Sequence, residues 1–126
     1  MSDGGKQSYR DLKVWRSGVD LTEAVFRVTD SYPKSELYGL VSQMRRCASS
    51  VPANIAEGCA RKGAGEFVQF LHIAAGSLAE LDTFLEIGRR LEYGDSVLYL
   101  DLSRMTDETG KMLYGLINSV KQGARK

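Results

Sequence analysis

Four stretches of this 126-residue chain repeat their apolar residues every three to four positions, and only three short breaks separate them. That spacing lines up a continuous apolar stripe on an α-helix and on nothing else, because a strand needs alternation in twos. In the first stretch Val14, Leu21, Val25, Val28 and Tyr32 form one row, with Leu12, Trp15, Val19, Thr22, Phe26 and Thr29 beside it. This predicts a helix over 9–32, stopped there because Pro33 disfavours helical geometry in the residue before it. Ser35 is the expected N-cap of a second helix over 35–59, carried by Leu40, Val41, Met44, Cys47, Ala48, Val51 and Ile55. Pro52 lies inside that helix and cannot donate to the Ala48 carbonyl, so a kink is expected, with a split into two shorter helices as the alternative.

The third helix, over 66–92, keeps Phe67, Leu71, Ala74, Leu78, Leu81, Leu85 and Gly88 in register. Phe70, Phe84 and Leu91 widen its stripe, which implies burial on more than one side. Its small run of Ala74, Ala75, Gly76 and Ser77 reads as a close helix-helix contact. The fourth, over 96–121, is capped by Asp95 or Ser96 and shows Leu98, Leu102, Met105, Thr109, Met112 and Leu116. Residues 1–8 read as a polar tail and 123–126 as a frayed basic one. The fold class is therefore all-α, an up-down-up-down four-helix bundle over 9–122.

With 43% apolar and 26% charged residues, the chain has the composition of one soluble domain. No apolar run approaches the roughly 18 residues that would span a bilayer, and 1–8 lacks a signal-peptide apolar segment, so a cytoplasmic protein without a membrane partner is expected. Cys47 and Cys59 stand on one helix about 18 Å apart along its axis, too far to bridge.

Catalytic and cofactor chemistry finds little support. A di-metal bundle site needs two Glu-x-x-His pairs, whereas His72 is the single histidine and Gln69 stands where its carboxylate partner belongs. Gly63 and Gly65 are not followed by the Lys-Ser or Lys-Thr of a phosphate loop. No cofactor and no enzyme activity are expected; catalysis would require Glu57, Glu66 or Glu80 to be buried with a shifted pKa.

A polar ribbon on the second helix is more informative. Arg46, Ser50, Asn54, Glu57 and Arg61 recur at intervals of three or four, opposite the Met44, Val51 and Ile55 face. It reads either as an interhelical or solvated face with Glu57 paired to Arg61, or as a phosphate-contacting edge once Arg45 and Lys62 are added. The chain balances 17 Lys and Arg against 16 Asp and Glu, so any attraction to nucleic acid must be local. Residues 35–65 carry four basic and two acidic groups, while 66–95 carry two basic and six acidic ones.

Three motifs, in order, resemble one known family. They are Tyr9-Arg10-Asp11-Leu12-Lys13-Val14-Trp15; Gln43-Met44-Arg45-Arg46 with Ser50-Val51-Pro52-Ala53-Asn54-Ile55-Ala56-Glu57-Gly58; and Glu66-Phe67 through Gly76-Ser77-Leu78-Ala79-Glu80-Leu81. The chain is similar to the bacterial four-helix bundle family of the 23S rRNA intervening-sequence protein. More distantly it resembles the accessory variability determinant of diversity-generating retroelements. The resemblance implies a homopentamer, nucleic-acid binding without catalysis, and by analogy a protein partner such as a reverse transcriptase. It also marks Pro52, Asn54, Glu57, Gly58, Gly76, Ser77 and Glu80 as motif positions. Together the ribbon and the likeness predict RNA or DNA binding through Arg45, Arg46, Arg61 and Lys62 of each subunit. A protein-interaction scaffold that never touches nucleic acid is the competing expectation.

Overall fold

The computed structural model describes residues 8–124, which form α1 (Lys13–Thr29), α2 (Ser42–Cys59), α3 (Ala64–Arg90) and α4 (Ser96–Ala124), with no strand among the described residues. Gly18 meets Pro52 and Thr29 meets Arg45; Ser50 meets Ser77 and Gly58 meets Phe67. Leu78 faces Gly110 and Gly88 faces Tyr99, while Ser17 meets Thr109 and Tyr32 meets Tyr99. In each pairing the numbers run in opposite directions. Every helix is thus antiparallel to its two neighbours, and the chain goes up, down, up and down around a closed ring.

Leu21, Val25 and Val28 of α1, Met44, Val51 and Ile55 of α2, Leu71 and Leu81 of α3, and Leu113 of α4 are fully buried in the shared core. Each such side chain contributes about 1.5–3 kcal/mol of transfer free energy. On α1 the row containing Val14 and Tyr32 is the buried one, and Val19 and Phe26 of the neighbouring row are exposed. On α4 the buried stripe is rotated by less than a quarter turn from the expected one. Leu98 and Met112 are exposed, and Tyr99, Thr106, Leu113 and Ile117 join Leu102 and Thr109 inside. Thr106 and Thr109 are hidden because each hydroxyl donates to the carbonyl four residues back, which lets a β-branched polar residue pass as apolar.

The helix ends differ from their expected positions for identifiable reasons. Tyr9–Asp11 is a 3-10 turn capped by Ser8, and extended Leu12 separates it from α1. Ser35 caps nothing: Lys34–Glu36 is a 3-10 turn, Leu37–Val41 is a π-helical turn, and Gly39 leaves helical geometry before α2 begins. Of the two expected caps for α4, Asp95 is the one used, accepting from the Val97 amide at 3.0 Å. Gly123 lies within α4 rather than in a frayed tail. The remaining tail residues, 1–7 and 125–126, lie outside the described residues.

Helix α2 runs unbroken through Pro52, so it does not split there. The Ala48 carbonyl, deprived of its amide partner, accepts instead from the Thr22 hydroxyl of α1 at 3.0 Å, a donor shared with the Gly18 carbonyl at 2.7 Å. Gly18 is also what lets α1 close on the ring: a Cβ there would lie 3.2 Å from Pro52 Cδ.

At the opposite end the α3–α4 turn is locked by a tyrosine chain. Tyr93 and Glu92 amides donate to the Gly88 and Arg89 carbonyls, closing α3 with Glu92 at φ 60 and Gly94 at φ 74. The Tyr99 hydroxyl donates to the Tyr93 carbonyl at 2.7 Å and accepts from Tyr32 at 2.5 Å, while Tyr93 donates to Glu36 at 2.9 Å. Burial pushes the Tyr32 phenol far above its usual range, helped by its bond to Tyr99. Gly88 leaves the space that the two hydroxyls fill.

Thr22→Val leaves the Ala48 carbonyl buried and unpaired and is expected to cost about 1–3 kcal/mol in denaturant unfolding. In the Pro52→Ala background, where the amide is restored, the same change should cost markedly less; equal costs would show that Thr22 does not serve the proline. A Tyr32 phenol that resists ionisation in the folded chain stabilises it fully below pH about 10 and loses that contribution as pH rises beyond the unfolded pKa. Denaturant midpoints between pH 9 and 11.5 should therefore fall less steeply for Tyr32→Phe than for the unaltered chain.

Candidate nucleic-acid interface

The polar ribbon of α2 is only partly a surface. At its centre the Asn54 amide donates to the Ser50 carbonyl at 2.8 Å and to the Ser50 hydroxyl at 2.9 Å. Ser50 in turn meets the Ser77 hydroxyl of α3 at 2.9 Å. These half-buried groups satisfy one another and stitch α2 to α3. Gly58 continues the seam, since a Cβ there would lie 2.8 Å from Phe70 Cβ and 3.0 Å from Phe67 Cδ1. Gly76 does not: it is exposed with no atom within 4 Å of a Cβ, so the expected close contact belongs to Ala74, Ala75 and Ser77. The mismatch is rotational, because Gly76 lies on the outer side of the turn whose inner side those three residues occupy.

The four cations singled out from sequence are brought into different circumstances. Arg45 is half-buried, its Nε donating to the Thr29 hydroxyl at 3.0 Å and its guanidinium lying 4.7 Å from the Phe26 ring centroid. It fastens α2 to α1. Arg61 pairs with Glu57 at 2.9 Å and lies 5.1 Å from the Phe70 ring centroid. Arg46 and Lys62 are exposed, with no carboxylate within salt-bridge distance among the described residues. Arg45 lies about 21 Å along α2 from its last residue, Cys59, after which Arg61 and Lys62 follow, so within one chain the four form two groups rather than one patch.

Glu57, Glu66 and Glu80 are exposed, which removes the burial a catalytic carboxylate would need. His72 is exposed as well, and no group of three or more His, Cys, Asp or Glu able to hold a metal occurs among the described residues. Cys47 is buried and Cys59 half-buried; both are free thiols pushed up by burial, and Glu80 raises Cys47 further. Neither is activated as a nucleophile. No helix among the described residues is long and apolar enough to cross a membrane.

Charge is divided along the bundle axis, a feature that reading the second helix alone misses. In 80–108 eight carboxylates face three arginines, and each arginine is paired: Arg89 and Arg90 with Glu86, Arg104 with Asp101 and Glu108. Hydrogen bonds from Arg89, then Arg90, hold the Glu86 carboxyl down at about 2. The antiparallel packing puts Arg10, Lys13 and Arg16 at the same end of the bundle as the α2–α3 turn that carries Arg61 and Lys62. The sequence signal was the cation at every third position from 10 to 16, which only the ring topology connects to residues 61 and 62.

The model of the 23S rRNA-intervening sequence protein family matches residues 10–115. Comparison with curated proteins finds no match. Among solved structures, the chain is similar to a protein of unknown function of the S23 ribosomal protein family from Bacteroides thetaiotaomicron. The TM-score is 0.76 at 22% identity, covering 83% of this chain and 95% of that one. At that identity the likeness shows the fold, and the family follows from the match over 10–115, which takes in all three sequence motifs almost entirely. The chain, a four-helix bundle, belongs to the 23S rRNA-intervening sequence protein family.

Proposed function

We propose that this protein is a non-catalytic, homo-oligomeric nucleic-acid-binding bundle of the bacterial cytoplasm, with RNA as its ligand and a pentamer as its assembly. The observation that carries this is the family membership together with exposed cations that lack carboxylate partners among the described residues, foremost Arg46 on α2 and Lys62 in the turn that follows it. Guanidinium and ammonium groups in that state meet phosphate oxygens without first breaking an ion pair. Arg45, Arg46, Arg61 and Lys62 recur on every subunit, so an oligomer multiplies weak contacts into avidity. Arg45 adds charge from behind, because its guanidinium is engaged with Thr29 and Phe26.

A second reading, a protein-docking scaffold of which a reverse transcriptase is one candidate partner, is favoured by a different observation. Val97 and Leu100 are 70% and 79% exposed near the start of α4, and an open groove of about 650 Å³ runs between α3 and α4 over Ala75, Ala79 and Gly110. Exposed apolar surface of this kind marks protein contacts rather than phosphate contacts.

Fluorescence anisotropy of a structured rRNA fragment and a matched DNA duplex, titrated with protein of measured mass at several salt concentrations, separates the two readings. The expected result is saturable RNA binding that weakens steeply with salt, by a protein whose mass is that of five 13.9 kDa chains, about 70 kDa. Absence of binding at low salt would sink the nucleic-acid reading and leave the scaffold.

A further inference from the structure

We infer that the phosphate-contacting surface is one end of the bundle, formed by Arg10, Lys13, Arg16, Arg61, Lys62 and Lys121, rather than the length of α2. The inference rests on the nucleic-acid reading above and assigns its binding site.

The helix directions bring these residues together. The 3-10 turn Tyr9–Asp11 contacts α2, and Gly18 lies against Pro52, so stepping back along α1 while stepping forward along α2 sets residues 10–13 near 59–62. Ser17 faces Thr109, and the last turns of α4 with Lys121 continue toward the same end. Helices packed 8–10 Å apart give this end a width of about 20 Å. In 9–16, 57–66 and 117–124 the six cations face three carboxylates, and Arg61 alone of the six forms an ion pair among the described residues. That contrasts with 80–108, where all three arginines are paired.

Two of the six are also held in place. The Arg10 guanidinium lies 5.2 Å from the Trp15 ring centroid and 5.8 Å from that of Tyr9, whose rings meet edge to face at 5.2 Å. Arg16 donates to the Arg10 carbonyl at 3.0 Å. Side chains ordered before binding lose less entropy on meeting phosphate.

The net charge of +1 conceals this surface rather than contradicting it. Helix α3, with its 27 residues, is about 40 Å long, several times the Debye length of about 8 Å at physiological ionic strength. A strand approaching the basic end is therefore screened from the carboxylates of the far end.

The test is a pair of triple variants with the same change in net charge, made in the full chain and checked for mass and helicity. Lys13→Gln, Lys62→Gln and Lys121→Gln are expected to weaken binding of the rRNA fragment at least about tenfold near 0.1 M salt and to flatten the log affinity against log salt slope by roughly two to three. Arg27→Gln, Lys34→Gln and Arg90→Gln, at exposed positions away from that end, are expected to leave affinity and slope within error. Conversely, Asp11→Asn with Glu66→Gln, which removes two of the three carboxylates, should tighten binding. If the unaltered chain binds and both triple variants weaken it equally, or the first leaves it unchanged, the placement is overturned while RNA binding stands. If the unaltered chain fails to bind at low salt, the functional reading fails and this surface with it.

Discussion

The Ala48 carbonyl is the point on which the packing of this bundle turns. A proline in mid-helix orphans the carbonyl four residues earlier, and a buried carbonyl without a donor costs about as much as several methylene groups gain. Thr22 supplies that donor from the neighbouring helix, and Gly18, one turn earlier, clears room for the proline ring. A defect within α2 thereby becomes a specific contact with α1, fixing both the separation and the register of the pair. The polar seam of Ser50, Asn54 and Ser77 fixes the other side of α2 against α3. Much of the Ser50 to Gly58 motif is thus accounted for by packing.

This bears on which residues remain for binding. Side chains that hold helices together are already engaged: Arg45 with Thr29, Arg61 with the Phe70 ring, Ser50 with Ser77. Of the cations left without a carboxylate partner among the described residues, Arg10, Lys13, Arg16, Lys62 and Lys121 lie toward one end of the bundle, whereas Lys34, Arg46 and Lys111 stand elsewhere. The acidic end shows the converse, with its arginines absorbed into i,i+3 and i,i+4 pairs that are screened, exposed and worth little to stability. The bundle is consequently a dipolar rod. Its buried tyrosine chain, lacking any charge in the neutral state, closes the acidic end without adding to the repulsion there.

How much of this could be seen in the sequence depends on the range over which each feature is encoded. Helical period is local, so the four elements, their order and the rows of α2 and α3 were legible from apolar spacing alone. The α4 stripe was legible only in part: Leu102 and Thr109 lay on it, but Thr106 becomes apolar only through its back-bonded hydroxyl and Tyr99 only through its partners Tyr32 and Tyr93. Gly76 misled for a related reason: a small residue signals close approach only if it faces a neighbour, and one position of rotation, about 100°, separates it from the inward Ala75.

By itself the sequence determined the all-helical class, the four-helix arrangement, the family likeness and the conflict at Pro52, since periodicity and proline chemistry act within a few residues. The tertiary structure decided which hydroxyl resolves that conflict, which arginines are engaged and which end of the bundle each helix terminus shares. Those outcomes depend on the antiparallel juxtaposition of residues tens of positions apart, such as Gly18 with Pro52 and Ser17 with Thr109, and no local pattern encodes that distance.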